Sequence, residues 1–270
     1  MYNVNAGSLM QTIVPQQTRT YKPISHKQLI DLTFQSVISA GFQIEKQEYT
    51  AARDNQIATG RYTISNVNDS EMKLEIAWQN SYNKSITLKF AIGARVIICQ
   101  NGMVHGDMGS LKKKHTGDVQ EFAPAKISDY IKQAGDVFAL MQKERDAMKN
   151  IELTKRVTGE LLGRMFIEES FIQSTQLNII AREIENPSYD YGHPNTLWEL
   201  YNHTTHSMKS LHPSLWMKSH MDAHSWFVNE SGALFTPKTN IIVTSPLMSE
   251  PKEEMFMQLE MFNNDGLEQI

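Results

Sequence analysis

Residues 71–92 read EMKLEIAWQNSYNKSITLKFAI, and their alternation decides the fold class. Met72, Leu74, Ile76 and Trp78 share one side of an extended chain, and Glu71, Lys73, Glu75 and Gln79 share the other. After the polar turn Asn80-Ser81-Tyr82-Asn83 the period resumes as Ile86, Leu88, Phe90 and Ile92, opposed by Thr87 and Lys89. Two such runs across a short turn predict an antiparallel hairpin with one face in water. Beyond Gly93, Val96-Ile97-Ile98-Cys99 reads as a more fully buried continuation. Before the hairpin, 42–49 and 57–66 are imperfect strands joined by Arg53-Asp54-Asn55.

Helical signals lie on both sides of this β region. Ser25 and Gln28 form a capping box, Leu29, Ile30, Thr33, Phe34, Val37 and Ile38 form an apolar face, and Gly41 supplies the stop. From Gln100 to Pro124 the sequence reads as a loop with four glycines, too long for an idle connection. A helix then runs through Ile127, Ile131, Ala134, Val137, Phe138 and Met141 toward Asn150. Shorter helices are expected at 153–166 and 174–185. Thr196 with Glu199 opens another helix, and Pro213 opens one through Trp216, His220, His224 and Phe227.

The chain is therefore α+β: an N-terminal helix, an antiparallel β-meander and a long helix, followed by a helical C-terminal part. Its expected parts are a polar arm (1–23), an α+β core (24–185), a helical hairpin packed on that core (186–230) and a weakly patterned acidic tail (231–270). The apolar stretch Ile241–Val243 is the one feature of the tail.

The 270 residues hold 26 Lys+Arg against 30 Asp+Glu, which as one number argues against a polyanionic partner. Divided, residues 1–160 carry 20 basic and 16 acidic side chains, and 161–270 carry 6 and 14. The basic front and acidic back suggest different partners. A single cysteine, Cys99, excludes an intrachain disulfide scaffold and favours a reducing cytoplasm. No apolar run is long enough for a membrane span, and the first residues lack the order of a signal peptide. Phosphate loops, dinucleotide fingerprints, nucleophile elbows and zinc-protease motifs are absent, which lowers the expectation of an enzyme.

Two constellations could carry function. Lys112-Lys113-Lys114-His115, flanked by glycines, could neutralise phosphates along a single strand, with Lys89, Arg95 and Lys132 extending the surface. Tyr82, at a hairpin tip near Lys84, could stack a base; Trp78, on the apolar side of its strand, reads as core. In the second constellation, His203 and His206, and His220 and His224, are spaced to share helix faces. In an antiparallel helix pair these four could hold Zn²⁺, although packing with Trp216 and Phe227 is the simpler reading.

Ala94-Arg95-Val96-Ile97-Ile98-Cys99-Gln100-Asn101-Gly102-Met103, followed by Lys114-His115-Thr116-Gly117, resembles the Arg-Val-Val-Cys-x-Asn-Gly and His-Thr signature of the phage/plasmid-like proteins of unknown function, domain-of-unknown-function family 932. Asn195-Thr196-Leu197-Trp198-Glu199-Leu200-Tyr201-Asn202-His203-Thr204-Thr205 resembles that family's Thr-Leu-Trp-x-x-Tyr-Asn-x-x-Thr segment. The likeness spans about residues 20–228, with Arg95 one residue further from Cys99 than in the pattern. It implies a bacteriophage or mobile-element origin and carries over no catalytic residue. The order of elements over 25–150 is also similar to RecT/Erf-like single-strand annealing proteins, a likeness of fold alone. The expectation is a non-enzymatic protein that binds single-stranded DNA, as a ring or filament, in recombination or replication. The alternatives are a binder of host or phage proteins through the acidic half, and a metal-dependent hydrolase built on the histidines.

Overall fold

The computed structural model describes residues 1–65, 69–99, 101–104, 110–212 and 215–235. The acidic tail from 236 onward, with Ile241–Val243, and Pro213 lie outside the described residues.

The hairpin is present where the alternation placed it: β4 (Met72–Ser81) pairs with β5 (Leu88–Val96), Trp78 opposite Phe90 and Ile76 opposite Ile92. β2 (Ile44–Ala52) and β3 (Ile57–Ile64) extend the sheet on the β4 side. Arg53, Asp54 and Asn55 turn between them with φ of 52°, 53° and 62°, a conformation that Asn and Asp tolerate better than most residues. The stretch 1–23 is more than an arm. β1 (Tyr2–Val4) pairs with the outer edge of β2, and α1 (Ala6–Met10) buries Leu9 in the core.

On the far side of β5, the glycine-rich stretch read as a loop contains two strands. β6 (Gly102–Val104) pairs with Gly93–Arg95, and β7 (Ser110–Lys113) pairs with Leu88–Ala91. Residues 100 and 105–109 lie outside the described residues. At Gly93 an added Cβ would sit 2.3 Å from the Met103 carbonyl oxygen, so only glycine admits β6 at this distance.

α2 (His26–Ser39) starts at Ser25, whose Oγ accepts the Gln28 N–H at 2.9 Å, and stops at Gly41 with φ 81°. Its buried face is Leu29, Ile30, Thr33 and Val37; Phe34 and Ile38, expected on that face, are exposed. The long helix is two: α3 (Val119–Lys132) and α4 (Ala134–Lys149), interrupted at Gln133. Pro124 lies inside α3 rather than before it. α5 (Lys155–Gly163) continues into a π-helical turn, Arg164–Glu168, and α6 (Ser174–Glu185) follows. α7 (Leu197–Ser207) is capped by Thr196, whose Oγ1 accepts the Glu199 N–H at 3.3 Å, and α8 spans Trp216–Phe235.

One sheet face, with Met72, Leu74, Ile76, Trp78, Leu88, Phe90 and Ile92, forms the main core with residues of the helices, Trp226 and Phe227 of α8 among them. The opposite face was expected in water. Instead α8 lays Met217 on Ala77, Ala91 and Val104 and seats Trp216 beside them. Glu75, Gln79 and Arg95 are consequently buried. A buried carboxylate needs partners. Glu75 has two: Oε1 accepts Arg61 Nε and Nη2 at 3.0 and 2.7 Å, and Oε2 accepts Arg95 Nε at 2.6 Å. Arg95 Nη2 reaches on to Glu48 at 2.8 Å, and the Arg61 guanidinium lies 4.7 Å over the Trp216 ring.

Candidate functional site

Strand geometry divides the lysine run. Lys113 stands opposite Leu88, on the core side at the sheet margin, while Lys112 stands opposite Lys89 on the α8 side. Lys113 is engaged: its ammonium is 2.9 Å from Asp118 and 4.3 Å from the Phe122 ring centroid. Lys112 and Lys114 are exposed.

Past the end of β7 the chain turns toward the tip of the β4–β5 hairpin. There Lys84 and Lys114 face one cleft of about 390 Å³, together with Tyr21, His115 and the hydroxyl side chains Ser85, Thr87 and Thr116. Lys84 is held at φ 62° beside Asn83, whose Oδ1 accepts the Ser85 N–H at 3.1 Å and the Ser85 hydroxyl at 2.6 Å. This local turn projects the ammonium back, to 4.5 Å from the Tyr21 ring centroid. Tyr21 is fixed by its own hydroxyl, which donates to the Tyr82 carbonyl at 2.9 Å.

His115 packs edge-on to Tyr21, ring centroids 6.0 Å apart, and Lys22 N–H holds its carbonyl at 2.7 Å. It is 5% exposed, and neither ring nitrogen has a hydrogen-bond partner within the protein. Burial lowers its pKa, so near neutral pH the ring is an uncharged donor and acceptor. A buried polar group without a partner is destabilising by about 1–3 kcal/mol and calls for an explanation. No carboxylate lines this cleft. A larger one, about 660 Å³, lies beside Asn5, Ser8, Asp54 and Asn55, but it offers no cation and no aromatic ring.

The remaining sequence candidates are elsewhere. Arg95 is spent on Glu75 and Glu48 and is buried, so it is structural and unavailable to phosphate. Tyr82 is 3% exposed; its ring stacks on His26 at 4.0 Å and its hydroxyl accepts the His26 N–H at 2.7 Å, so it cannot stack a base. Trp78 is fully buried, as its place in the alternation indicated. Lys132, exposed at the end of α3, sits 3.6 Å from Asp129 and does not line the cleft. Tyr21 and Lys84 are the additions. Their signals were a large aromatic before Pro23 in a polar stretch and a cation at a hairpin tip.

The two sequence motifs meet at a second place. Asn101 Nδ2 donates to the Asn202 carbonyl at 2.9 Å, the Cys99 thiol lies 3.7 Å from Asn202 Oδ1, and Lys209 Nζ donates to the Cys99 carbonyl at 2.6 Å. This junction ties the end of the sheet to α7. Burial raises the Cys99 pKa, which suits a packed thiol rather than a nucleophile.

The histidines around the junction divide by partner. His203 and His206 stand 3.9 and 3.8 Å from Glu183; His220 packs edge-on against Trp216; His224 Nε2 is 3.1 Å from Glu144. Burial pulls His203 down to about 4 and His220 to about 3. Among the described residues no group of three or more His, Cys, Asp or Glu stands where it could hold a metal ion, so the four imidazoles do not make the zinc set that their spacing allowed. Among the same residues no helix is long and apolar enough to cross a membrane.

An α+β protein with an acid-free basic cleft at the β4–β5 hairpin tip and a paired-motif junction past the other end of β5 is thus the class that fold and site define. Residues 16–224 match the family described as Domain of unknown function (DUF932), and the chain belongs to that family. No curated protein and no solved structure matches it.

Proposed function

We propose that the protein binds single-stranded DNA in the Tyr21–Lys84–Lys114–His115 cleft, without catalysing a reaction. The observation that carries this reading is the convergence of two lysines, an aromatic ring and a buried imidazole with unmet hydrogen-bonding capacity in a cleft free of carboxylates. Lysines answer backbone phosphates, and the nearly buried Tyr21 and His115 rings form the wall against which a nucleotide would lie. The volume is within the range of small-molecule sites, about 300–1,000 Å³, and so admits one nucleotide unit rather than a duplex.

Binding of a fluorescent oligonucleotide over a salt series tests this. Each phosphate contact on a single strand contributes about 0.7 to the slope of log K against log salt. The double variant K84E/K114E removes two such contacts, so the slope should fall by about 1.4 and affinity should drop at every salt concentration. Undetectable binding at low salt, or wild-type affinity and slope in the double variant, would sink the reading.

A further inference from the structure

Lys84 and Lys114 differ from other lysines of the chain. Lys27, Lys46, Lys73, Lys113 and Lys218 each stand beside a carboxylate. Among the described residues Lys84 and Lys114 have no such partner, and no acid lines the cleft they share. The Lys84 ammonium is held 4.5 Å from the Tyr21 ring centroid, and Tyr21 packs at 6.0 Å against His115, the neighbour of Lys114. One ring pair thus connects the two cations.

That pair is also a closed wall. Tyr21 and His115 are each 5% exposed, and Tyr82, whose carbonyl accepts the Tyr21 hydroxyl, is buried with His26 stacked on it. A strand can lie against this wall but cannot pass through it, and about 390 Å³ takes one nucleotide unit. Charge decides which unit. An internal phosphodiester brings one negative charge, whereas a terminal phosphate carries about −1.5 to −2 near neutral pH and three acceptor oxygens. Two ammonium groups without a carboxylate between them are matched by the terminal group and half matched by the diester. Thr87 and Thr116 add hydroxyl-bearing residues to the same lining.

We propose that the cleft binds the phosphorylated end of a DNA strand, with Lys84 and Lys114 sharing one terminal phosphate. This rests on the single-stranded DNA reading and narrows it from any part of a strand to its end. The ligand chemistry is a phosphomonoester, which a free nucleotide also carries.

The test uses the full chain and an internally labelled oligothymidylate in four forms: 5′-phosphorylated, 3′-phosphorylated, hydroxyl-ended and circular. One phosphorylated form should bind at least about tenfold more tightly than the hydroxyl-ended form, the gain of one charge-assisted contact, and the circle should bind no better than the hydroxyl-ended form. K84M and K114M, which keep the stems and remove the charges, should each erase that preference. Both lysines are exposed, so both variants should unfold close to the wild-type temperature. Equal affinity for all four forms, or a preference that survives in both variants, overturns end recognition. If binding of the circle is then still weakened by K84E/K114E, the single-stranded DNA reading stands without it.

A thymidine monophosphate arm separates the two sources of the phosphomonoester. Protection of the wild type from thermal unfolding by the nucleotide, lost in K84M, is expected beside strand-end binding. The same protection in a protein that binds no oligonucleotide overturns the strand as bearer of the phosphate, and the DNA reading with it.

Discussion

Replacing Arg95 distinguishes a surface cation from a buried one. As a phosphate contact it could be removed with little effect on folding. In the structure its side chain is 10% exposed and its partner Glu75 is 4% exposed. R95M would leave the Glu75 carboxylate in a nearly dry site with Arg61 as its remaining partner. Breaking a buried pair by deleting one member is destabilising by about 3–5 kcal/mol, and the surviving Arg61 contacts place this case near 3. For a unit of this size that is a fall in Tm of about 6–12 °C. The double variant E75L/R95M removes both buried charges, leaving Glu48 and Arg61, at 35% and 27% exposure, free to turn toward water. It should be less destabilised than the sum of the single variants, with coupling of about 1–3 kcal/mol in a double-mutant cycle. Urea and thermal unfolding measure all three. An R95M protein with wild-type Tm and weakened oligonucleotide binding would refute the buried-network account and restore Arg95 to the phosphate surface.

Other expectations follow from single features. Burial holds His26 and His203 down to about 4 and His220 to about 3, while the unfolded chain takes up these protons near pH 6.5. The unfolded state therefore binds more protons in this window, and stability should fall as pH drops from about 6.5 to 4, by up to about 1.4 kcal/mol per unit per histidine. Urea midpoints read at pH 7, 6 and 5 should decline, and H26Q should remove part of the slope; a flat profile would count against three buried neutral rings. Gly93→Ala would drive a methyl group to 2.3 Å from the Met103 carbonyl oxygen, so β6 must part from β5. A loss of about 1–3 kcal/mol is expected, with faster hydrogen exchange at Gly102–Val104, and unchanged exchange there would contradict it.

What the sequence made legible is what local chemistry controls. The Ser25 and Thr196 caps, the Gly41 stop, the left-handed Arg53–Asn55 turn and the period-2 hairpin depend on neighbours a few residues away, and all are present. What was misread depends on distant partners. The alternation of 71–79 correctly separated two faces, but nothing in it showed that α8, more than 130 residues later, would cover the polar one. Glu75 and Arg95 looked solvated for that reason. Tyr82 looked like an exposed hairpin-tip ring because its cover, His26 and Tyr21, comes from segments more than 50 residues earlier. The Gly102–Lys113 stretch looked like a loop because its glycines are read as breakers. Here Gly102 sits in a strand, and Gly93 of the partner strand admits the close approach. Of the site, Lys114 and His115 were visible as a charged run, whereas strand geometry turned Lys113 aside and tertiary folding supplied Tyr21 and Lys84.

The most direct test of the central claim is photocrosslinking of the full chain to a single-stranded oligonucleotide carrying 5-bromodeoxyuridine, with the attachment points read by mass spectrometry. Crosslinks on Tyr21, His115 or the adjoining Lys84–Thr87 turn, reduced in K84E/K114E, are the expected result. Crosslinks confined to peptides that do not line the cleft would contradict it.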